Sequence, residues 1–377
     1  MASQEPTWNW QRPEWPIFTW DAEALKDAEA RFLHRAGLFQ GALRHMGDDD
    51  KDALTVEIIS AEAYKTSEIE GEFLDRESLQ SSLRRNFGLS SDERRVPPAE
   101  QGIADMMTAL YRGHDRPLRD DTLFAWHRMI MGSRRDLRDI ATYRTHPDPM
   151  QVVSGVAGRV SVHFEAPPSA SMNAEMARFL AWFNSTGPAS TRPLAPLARA
   201  GIAHLWFVCI HPFEDGNGRI GRAIAEQALS QALGRPTLIA LSHAIETRRK
   251  GYYQALEDNN KALEITDWLV WFADTVLAAQ ERSQTLIDFV IEKTKFLDRL
   301  RGRVNERQMK ALLRMLREGP DGFIGGLSAE NYIRITGTSR ATATRDLSDL
   351  VQIGAVTRTG RLKSTRYFLN VKSGGTA

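Results

Sequence analysis

The stretch that most restricts the fold is 195–234. It begins "APLARAGIAHLWFVCI" (195–210), passes through "HPFEDGNGRIGR" (211–222) and closes with "AIAEQALSQALG" (223–234). Apolar residues of the first segment recur at helical spacing. Pro196 suits the first turn of a helix, where its missing N–H goes unneeded. The segment is too short to cross a bilayer and contains His204, so it predicts a helix buried inside a soluble body. The last segment is helical again and ends on Gly234, suited to the left-handed residue just past a helix. The motif is then a glycine-rich loop between two helices. The chain has 377 residues, 42% hydrophobic and 26% charged, which is enough for a well-buried core within two or three domains.

The turn carries chemistry of its own. Gly216, Asn217 and Gly218 open the second helix, where free backbone N–H groups and the positive end of the dipole make an anion site. Glycines let phosphate oxygens come close to the backbone. Arg219 and Arg222, three residues apart, share a helix face and can reach one polyphosphate. Asp215 beside them can hold Mg²⁺ between phosphates. His211, at the end of the preceding helix, can take a proton from an incoming hydroxyl. A lone histidine or a lone glycine turn is usually structural, but the joint set is hard to explain that way. No GxxxxGK(S/T) and no HExxH occurs in the chain, which removes a P-loop and a metalloprotease zinc site. The net charge is +1, so a nucleic-acid surface would have to be a local patch. Cys209 is the single cysteine, which excludes an intrachain disulfide and suits a reducing compartment. No basic-then-apolar leader opens the sequence and no segment is long enough to span a membrane. The expectation is a soluble, cytoplasmic protein without membrane partners.

At every fixed position "HPFEDGNGRIGR" resembles the signature of the Fic family, HxFx(D/E)GNGRxxR. The resemblance extends across 55–280. "MQVVSGVAGRVSVHFEAPP" (150–168), which predicts a β-hairpin by its β-branched runs around "SGVAG", is similar to the family's target-pinning flap. "TRRKGYYQALED" (247–258) is similar to the helix beside the adenine pocket. The resemblance implies a mainly α fold, a Fic-type helical core with a β-hairpin flap. It also implies transfer of AMP from ATP to a Ser, Thr or Tyr hydroxyl of a protein, this chain itself included. By the same resemblance His211 is the general base, Phe213 anchors the loop and Asp215 binds Mg²⁺. Asn217 and the N–H groups of Gly216 and Gly218 hold the α- and β-phosphates. Arg219 contacts the β-phosphate and Arg222 the γ-phosphate. Phosphotransferase relatives carry lysine at the place of Gly218, which favours the AMP-transferring branch. Tyr252 and Tyr253 either line the base pocket or belong to the core.

"TSEIEG" (66–71), taken alone, is only a helix end. It resembles the family's inhibitory motif, (S/T)xxxE(G/N), with Thr66, Glu70 and Gly71 at the fixed positions. This implies that Glu70 pairs with Arg222, closes the γ-phosphate position and misaligns ATP. Glu68 and Glu72 lack the motif spacing. Some relatives use the same glutamate to support removal of AMP from modified targets. Two alternatives therefore stand beside AMP transfer: a de-AMPylating hydrolase, and a DNA-binding regulator whose core senses nucleotide with little turnover.

The remainder sets the domain plan. Trp8, Trp10, Trp15 and Trp20, spaced by prolines, predict an extended strap packed on the helical body. Asp21 suits an N-cap, and the acids of "GDDDKD" (47–52) suit the start of the next helix. Near the end, an amphipathic helix with Met309, Leu312, Leu313 and Leu316 is followed by "LSAENYIRITG", "TSRATATRDLSDLVQIG" and a ribbon across "RTGRLK". That order outlines a winged helix-turn-helix. Ser339 would cap its recognition helix, with Ala343, Leu347 and Leu350 inward. Arg340, Thr344, Arg345, Arg361 and Lys363 would be available to DNA, with Arg358 and Arg366 adding to the ribbon's basic patch. The plan is a helical region with the inhibitory helix (1–100), a catalytic core (101–280), a connecting helix (281–303) and the winged segment (304–371). A homodimer is compatible with it.

Overall fold

The computed structural model describes residues 7–44, 46–90, 94–156, 159–319, 322–323 and 325–371. The fold is mainly helical and divides into two compact units, 1–282 and 283–377. The first unit runs through α1 (Lys26–Arg44), α2 (Asp48–Ile69), α3 (Arg76–Asn86), α4 (Pro98–Gly113) and α5 (Asp120–Met131). A hairpin follows, β1 (Gln151–Val156) and β2 (Arg159–Glu165), then α6 (Met172–Ser185), α7 (Pro196–Ile210) and α8 (Asn217–Leu233). Next come α9 (Leu241–Thr247), α10 (Arg249–Asp258) and the first part of α11 (Thr266–Leu300).

Helix α7 is buried along almost its whole length and packs on α8. Its first amides are capped from a distance: Glu29 Oε1 of α1 accepts from Leu197 N–H (2.9 Å) and Ala198 N–H (3.0 Å). Gly201 permits a close crossing of α11, since a Cβ there would lie 2.6 Å from a Leu269 methyl. Trp268 of α11 donates its indole N–H to the Gly201 carbonyl at 2.9 Å.

The tryptophan segment packs on this body, with a short 3₁₀ turn at Asn9–Gln11 interrupting the extended run. Trp8 and Trp15 are buried. Trp15 donates to Glu175 (2.9 Å), Trp10 to the Glu165 carbonyl (2.6 Å), and Trp8 lies edge-on to Phe164. The strap therefore braces the root of the hairpin. In the hairpin, Val152 faces Phe164 while Val153 faces Val162, so His163 is an extra, bulged residue. The turn residues 157–158 of "SGVAG" lie outside the described set.

The stretch 241–258 forms two helices, α9 and α10, with Arg248 as the cap residue between them, and α9 is held end-on by Glu62 of α2, whose carboxylate accepts from Ser242 N–H at 2.7 Å. Among the described residues no helix is long and apolar enough to cross a membrane.

The second unit contains the remainder of α11, α12 (Glu306–Leu316), α13 (Ala329–Thr336), α14 (Arg340–Gln352), β3 (Val356–Thr359) and β4 (Arg366–Leu369). Asn305, Ser328 and Ser339 cap α12, α13 and α14 through side-chain oxygens. Gly337 ends α13 at φ 71°. β3 pairs antiparallel with β4, and Leu327 adds a one-residue bridge to Tyr367. Ala343, Leu347 and Leu350 are buried with Leu312, Tyr332 and Val356. Helix α12 is rotated from the expected face: Met315 points inward and Leu313 outward. The cause is polar, because Gln308 must face α14 to donate to Asp346 O (3.2 Å) and Asp349 Oδ2 (2.7 Å).

Candidate functional site

Helix α7 has to stop at His211, which adopts a left-handed conformation with φ 51° and ψ 59°. For a residue with a Cβ this costs about 1–3 kcal/mol and persists only where neighbours impose it. Arg144 is the main such neighbour. Its Nε donates to His211 O (2.8 Å), its backbone N–H to Pro212 O (2.9 Å), its Nη1 to Ser169 Oγ (2.7 Å) and its Nη2 to Pro167 O. The loop is held at each further step. Phe213 is fully buried, stacked on the His127 ring at 4.2 Å. Asn217 closes the turn both ways, accepting from Phe213 N–H (3.0 Å) and donating to Phe213 O (2.8 Å). Ala141 N–H donates to His127 Nδ1 (2.9 Å), so the other nitrogen, Nε2, carries the proton and donates to Asp215 O (3.2 Å). Glu214 accepts from the backbone N–H of Arg138 (2.8 Å). The loop is thus held throughout by groups of the protein itself.

The half-buried His211 ring places Nδ1 3.3 Å from Val208 O, which leaves Nε2 as the proton acceptor. Burial, opposed by that hydrogen bond and aided by the Arg144 charge, lowers its pKa to about 4. The imidazole is therefore neutral at neutral pH and able to accept a proton.

Gly216, at φ 82°, begins the next helix. Its N–H is already taken by Asp215 Oδ1 at 2.6 Å, and Asp215 Oδ2 takes Arg134 Nη1 at 2.9 Å. Among the described residues no group of three or more His, Cys, Asp and Glu could hold a metal. The lone, part-exposed Asp215 fits Mg²⁺ only where phosphate oxygens and water complete the octahedron, and only once Arg134 has turned away.

The helix end "TSEIEG" lies directly against α8. Glu70 ends α2, and Gly71 at φ 81° reverses the chain, with Gly71 N–H on Glu68 O and Glu72 N–H on Ser67 O, both 3.0 Å. That pair of bonds is a Schellman turn, and it sets where the next carboxylates point. Glu70 Oε1 meets Arg222 Nη2 at 2.7 Å, while Thr66 takes Arg222 Nε (2.8 Å) and Nη2 (2.9 Å). Gly218 makes room: a Cβ there would stand 2.2 Å from Glu70 Oε1. Glu72 pairs with Arg219 at 2.6 Å, while Glu68 turns away to Lys65. Arg219 Nε and Arg222 Nη1 are buried without a hydrogen-bond partner.

The residues expected at the site fall into two groups. His211, Asp215, Gly216, Gly218, Arg219, Arg222 and Glu70 converge. Asn217 is there too, but its side chain serves the loop, so only its backbone is placed for an anion. Tyr252 is a core residue, buried, with its hydroxyl 2.8 Å from His204 Nε2. Tyr253 is 42% exposed and borders open space, its hydroxyl 3.4 Å from Ile69 O. Bulged His163 ties the hairpin to α10 through Glu257 at 3.0 Å. In the second unit Arg340, Thr344 and Arg345 of α14 and Arg358 and Arg361 of the ribbon are exposed. The Thr344 hydroxyl is used on Arg340 O (2.9 Å), and the side chain of Lys363 lies outside the described set. No sequence pattern marks Arg134, Arg144 or His127 for the site, and Glu72 joins it without the motif spacing.

Two family models match the chain: "Fic/DOC family" over residues 117–229, and "Domain of unknown function (DUF4172)" over 8–89. The Protein adenylyltransferase Fic of Culex quinquefasciatus is 31% identical over 130 residues, 34% of this chain and 24% of that protein. The protein of the same name from Drosophila virilis is 32% identical over 130 residues, 34% of this chain and 25% of that one. The chain thus spans a minor part of the length of these relatives. Among solved structures, a Fic family protein from Desulfovibrio desulfuricans G20 is similar at a TM-score of 0.55 and 20% identity, covering 96% of this chain and 99% of that one. A Fic domain containing signaling protein from Bacteroides thetaiotaomicron VPI-5482 gives 0.50 and 19%, covering 70% and 96%. At these identities the structural likeness concerns the fold.

Proposed function

We propose that this protein, which carries a Fic/DOC-family core over 117–229, is a protein adenylyltransferase held closed in cis by Glu70. The observation that carries the reading is the meeting of a proton-accepting His211 with two arginines of α8 that the end of α2 covers. In the open state the triphosphate lies along the start of α8, on the first-turn amides, Arg219 and Arg222. His211 Nε2 takes the proton of a protein hydroxyl. The freed oxygen forms a bond to the α-phosphorus as the bond from that phosphorus to the bridging oxygen breaks, and pyrophosphate leaves. Mg²⁺, held through Asp215, would neutralise charge on the phosphates. Arg144 keeps His211 in its strained conformation, so the base is in place before the nucleotide.

The test uses ATP labelled at the α- or the γ-position, incubated with the protein and with Glu70→Gly. Protein-bound label from the α-position alone supports AMP transfer. Label from the γ-position overturns it in favour of phosphotransfer. Release of AMP from a premodified target with no forward transfer overturns it in favour of a hydrolase. Asp215→Ala is expected to slow transfer in the Glu70→Gly background, with partial recovery at high Mg²⁺ because phosphates supply the other ligands. Full activity in chelator would remove the metal from the scheme.

A second reading concerns 304–371, which we take as a winged helix-turn-helix binding DNA, from the exposed arginines on α14 and on the β3–β4 ribbon. Binding by basic side chains releases phosphate counterions, so affinity should fall with salt at a slope near about −0.9 per phosphate contact. Arg361→Ala should flatten that slope by about one unit on every sequence, whereas Arg340→Ala should change sequence preference. Fluorescence anisotropy of labelled duplexes with the full chain at several salt concentrations measures both. No binding at low salt would leave this unit as a protein-contact module.

A further inference from the structure

We propose that Glu72 is a second latch, acting on Arg219 as Glu70 acts on Arg222, so that the closed form withholds both arginines from the added phosphates of a nucleotide. The proposal rests on the reading of this site as a nucleotide site. It goes further by naming the residue that competes for the nearer of those phosphates.

Arg219 lies in the first turn of α8, and Arg222 lies three residues on, about 4.5 Å further along the axis. A polyphosphate that starts at the helix N-terminus meets Arg219 with its nearer added phosphate and Arg222 with the farther one. Each guanidinium is already occupied by an acid of the same short turn: Glu72 on Arg219 at 2.6 Å, Glu70 on Arg222 at 2.7 Å. The turn at Gly71 is what allows this. The chain reversal fixed by Glu72 N–H on Ser67 O brings residues 70 and 72 to neighbouring arginines of one helix face.

The fit of the two latches is not equal. Arg222 is held by Thr66 as well as by Glu70. The Arg219 guanidinium, 6% exposed, has Glu72 at hydrogen-bond distance on Nη1, Asp215 Oδ1 only at 3.9 Å from Nη2, and its Nε buried with no acceptor. A forked donor with one prong empty is incomplete, and a phosphate, with more oxygens to offer than one carboxylate contact provides, would complete it. Glu72 is the weaker partner, 39% exposed and beyond the end of α2. With both acids in place the two arginines are closed to the added phosphates, and Glu70 Oε1 also lies against the first turn of α8, 2.2 Å from where a Cβ on Gly218 would stand.

The experiment is titration calorimetry of the full chain with AMP, ADP and ATP, for the wild type, Glu70→Gly, Glu72→Ala and the double variant. Melting curves and a Glu72→Gln variant guard against a folding defect. AMP, which does not reach Arg219, should bind wild type and Glu72→Ala alike. ADP should bind Glu72→Ala about tenfold more tightly than wild type, and the double variant about tenfold more tightly than Glu70→Gly. ATP should gain most in the double variant. ADP affinity unchanged by Glu72→Ala and Glu72→Gln would overturn the second latch and leave AMP transfer standing. Absence of nucleotide binding in every protein would instead overturn the functional reading, and the latch with it.

Discussion

His211→Ala, measured in the Glu70→Gly background, is expected to lower AMP transfer by ~10²–10⁴ while ATP affinity changes little. The two effects separate because the imidazole contributes only its Nε2 lone pair. The phosphate contacts lie on the next helix, at Arg219, Arg222 and the first-turn amides. The pH profile gives the same assignment a second test. Burial and Arg144 hold the His211 pKa down to about 4, below the ordinary 6.5. The neutral, proton-accepting form therefore persists through neutral pH and is lost only as pH falls toward the lowered pKa. The acid limb of kcat/KM should lie below pH 6.5 and disappear in the alanine variant. A bound triphosphate beside the ring would favour the cation, so the acid limb of kcat should lie higher than that of kcat/KM. Wild-type turnover in His211→Ala would end the assignment of the base.

The parts of the site that could be read in the sequence are those whose cause is local. The apolar spacing of 197–210, Pro196 and Gly234 define two helices and the turn between them because helix periodicity and end geometry depend on neighbours a few residues away. The side chains that fix the loop are of another kind. Arg144, His127 and Arg134 meet the motif across 67, 88 and 81 residues, and nothing in their own surroundings marks them. Asn217 was legible as a member of the loop, but its role depends on the backbone it faces, and that is the Phe213 peptide on both sides. Tyr252 and Tyr253 are adjacent, so they point about 100° apart on α10. Which one is buried depends on where His204 of α7 stands. Glu68, Glu70 and Glu72 have the same chemistry and differ only in position about the left-handed Gly71. Spacing picks out Glu70, and the turn itself decides that Glu72 reaches Arg219 while Glu68 goes to Lys65. In the second unit the caps at Asn305, Ser328 and Ser339 are local features. The rotation of α12 is set by Gln308 seeking Asp346 and Asp349, partners far along the chain.

Glu70→Gly is expected to raise labelling of the target or of the protein itself by roughly a hundredfold, the equivalent of about 2.8 kcal/mol. That size follows from the ion pair the substitution removes. Arg222 is 2% exposed, and a charge-assisted bond to a buried guanidinium that is also the site's phosphate ligand competes directly with substrate. Removing one partner of such a pair costs stability too, about 3 kcal/mol, because the guanidinium is left without a carboxylate and keeps neutral partners such as Thr66. The variant should accordingly melt at a lower temperature without nucleotide and recover more than the wild type when ATP is added, as the phosphate takes the place of the carboxylate. The control substitutions follow from the same geometry. Glu68→Gly removes a partner of Lys65, not of either arginine, and should leave the rate near that of the wild type. Arg222→Ala breaks the same ion pair as Glu70→Gly but removes the phosphate ligand with it, so it should not activate. An activating Arg222→Ala would mean that the Glu70–Arg222 pair holds α2 in place without competing for phosphate. Equal rates for the wild type and Glu70→Gly, in an assay where transfer is otherwise detectable, would mean that the ion pair at 2.7 Å does not control access at all.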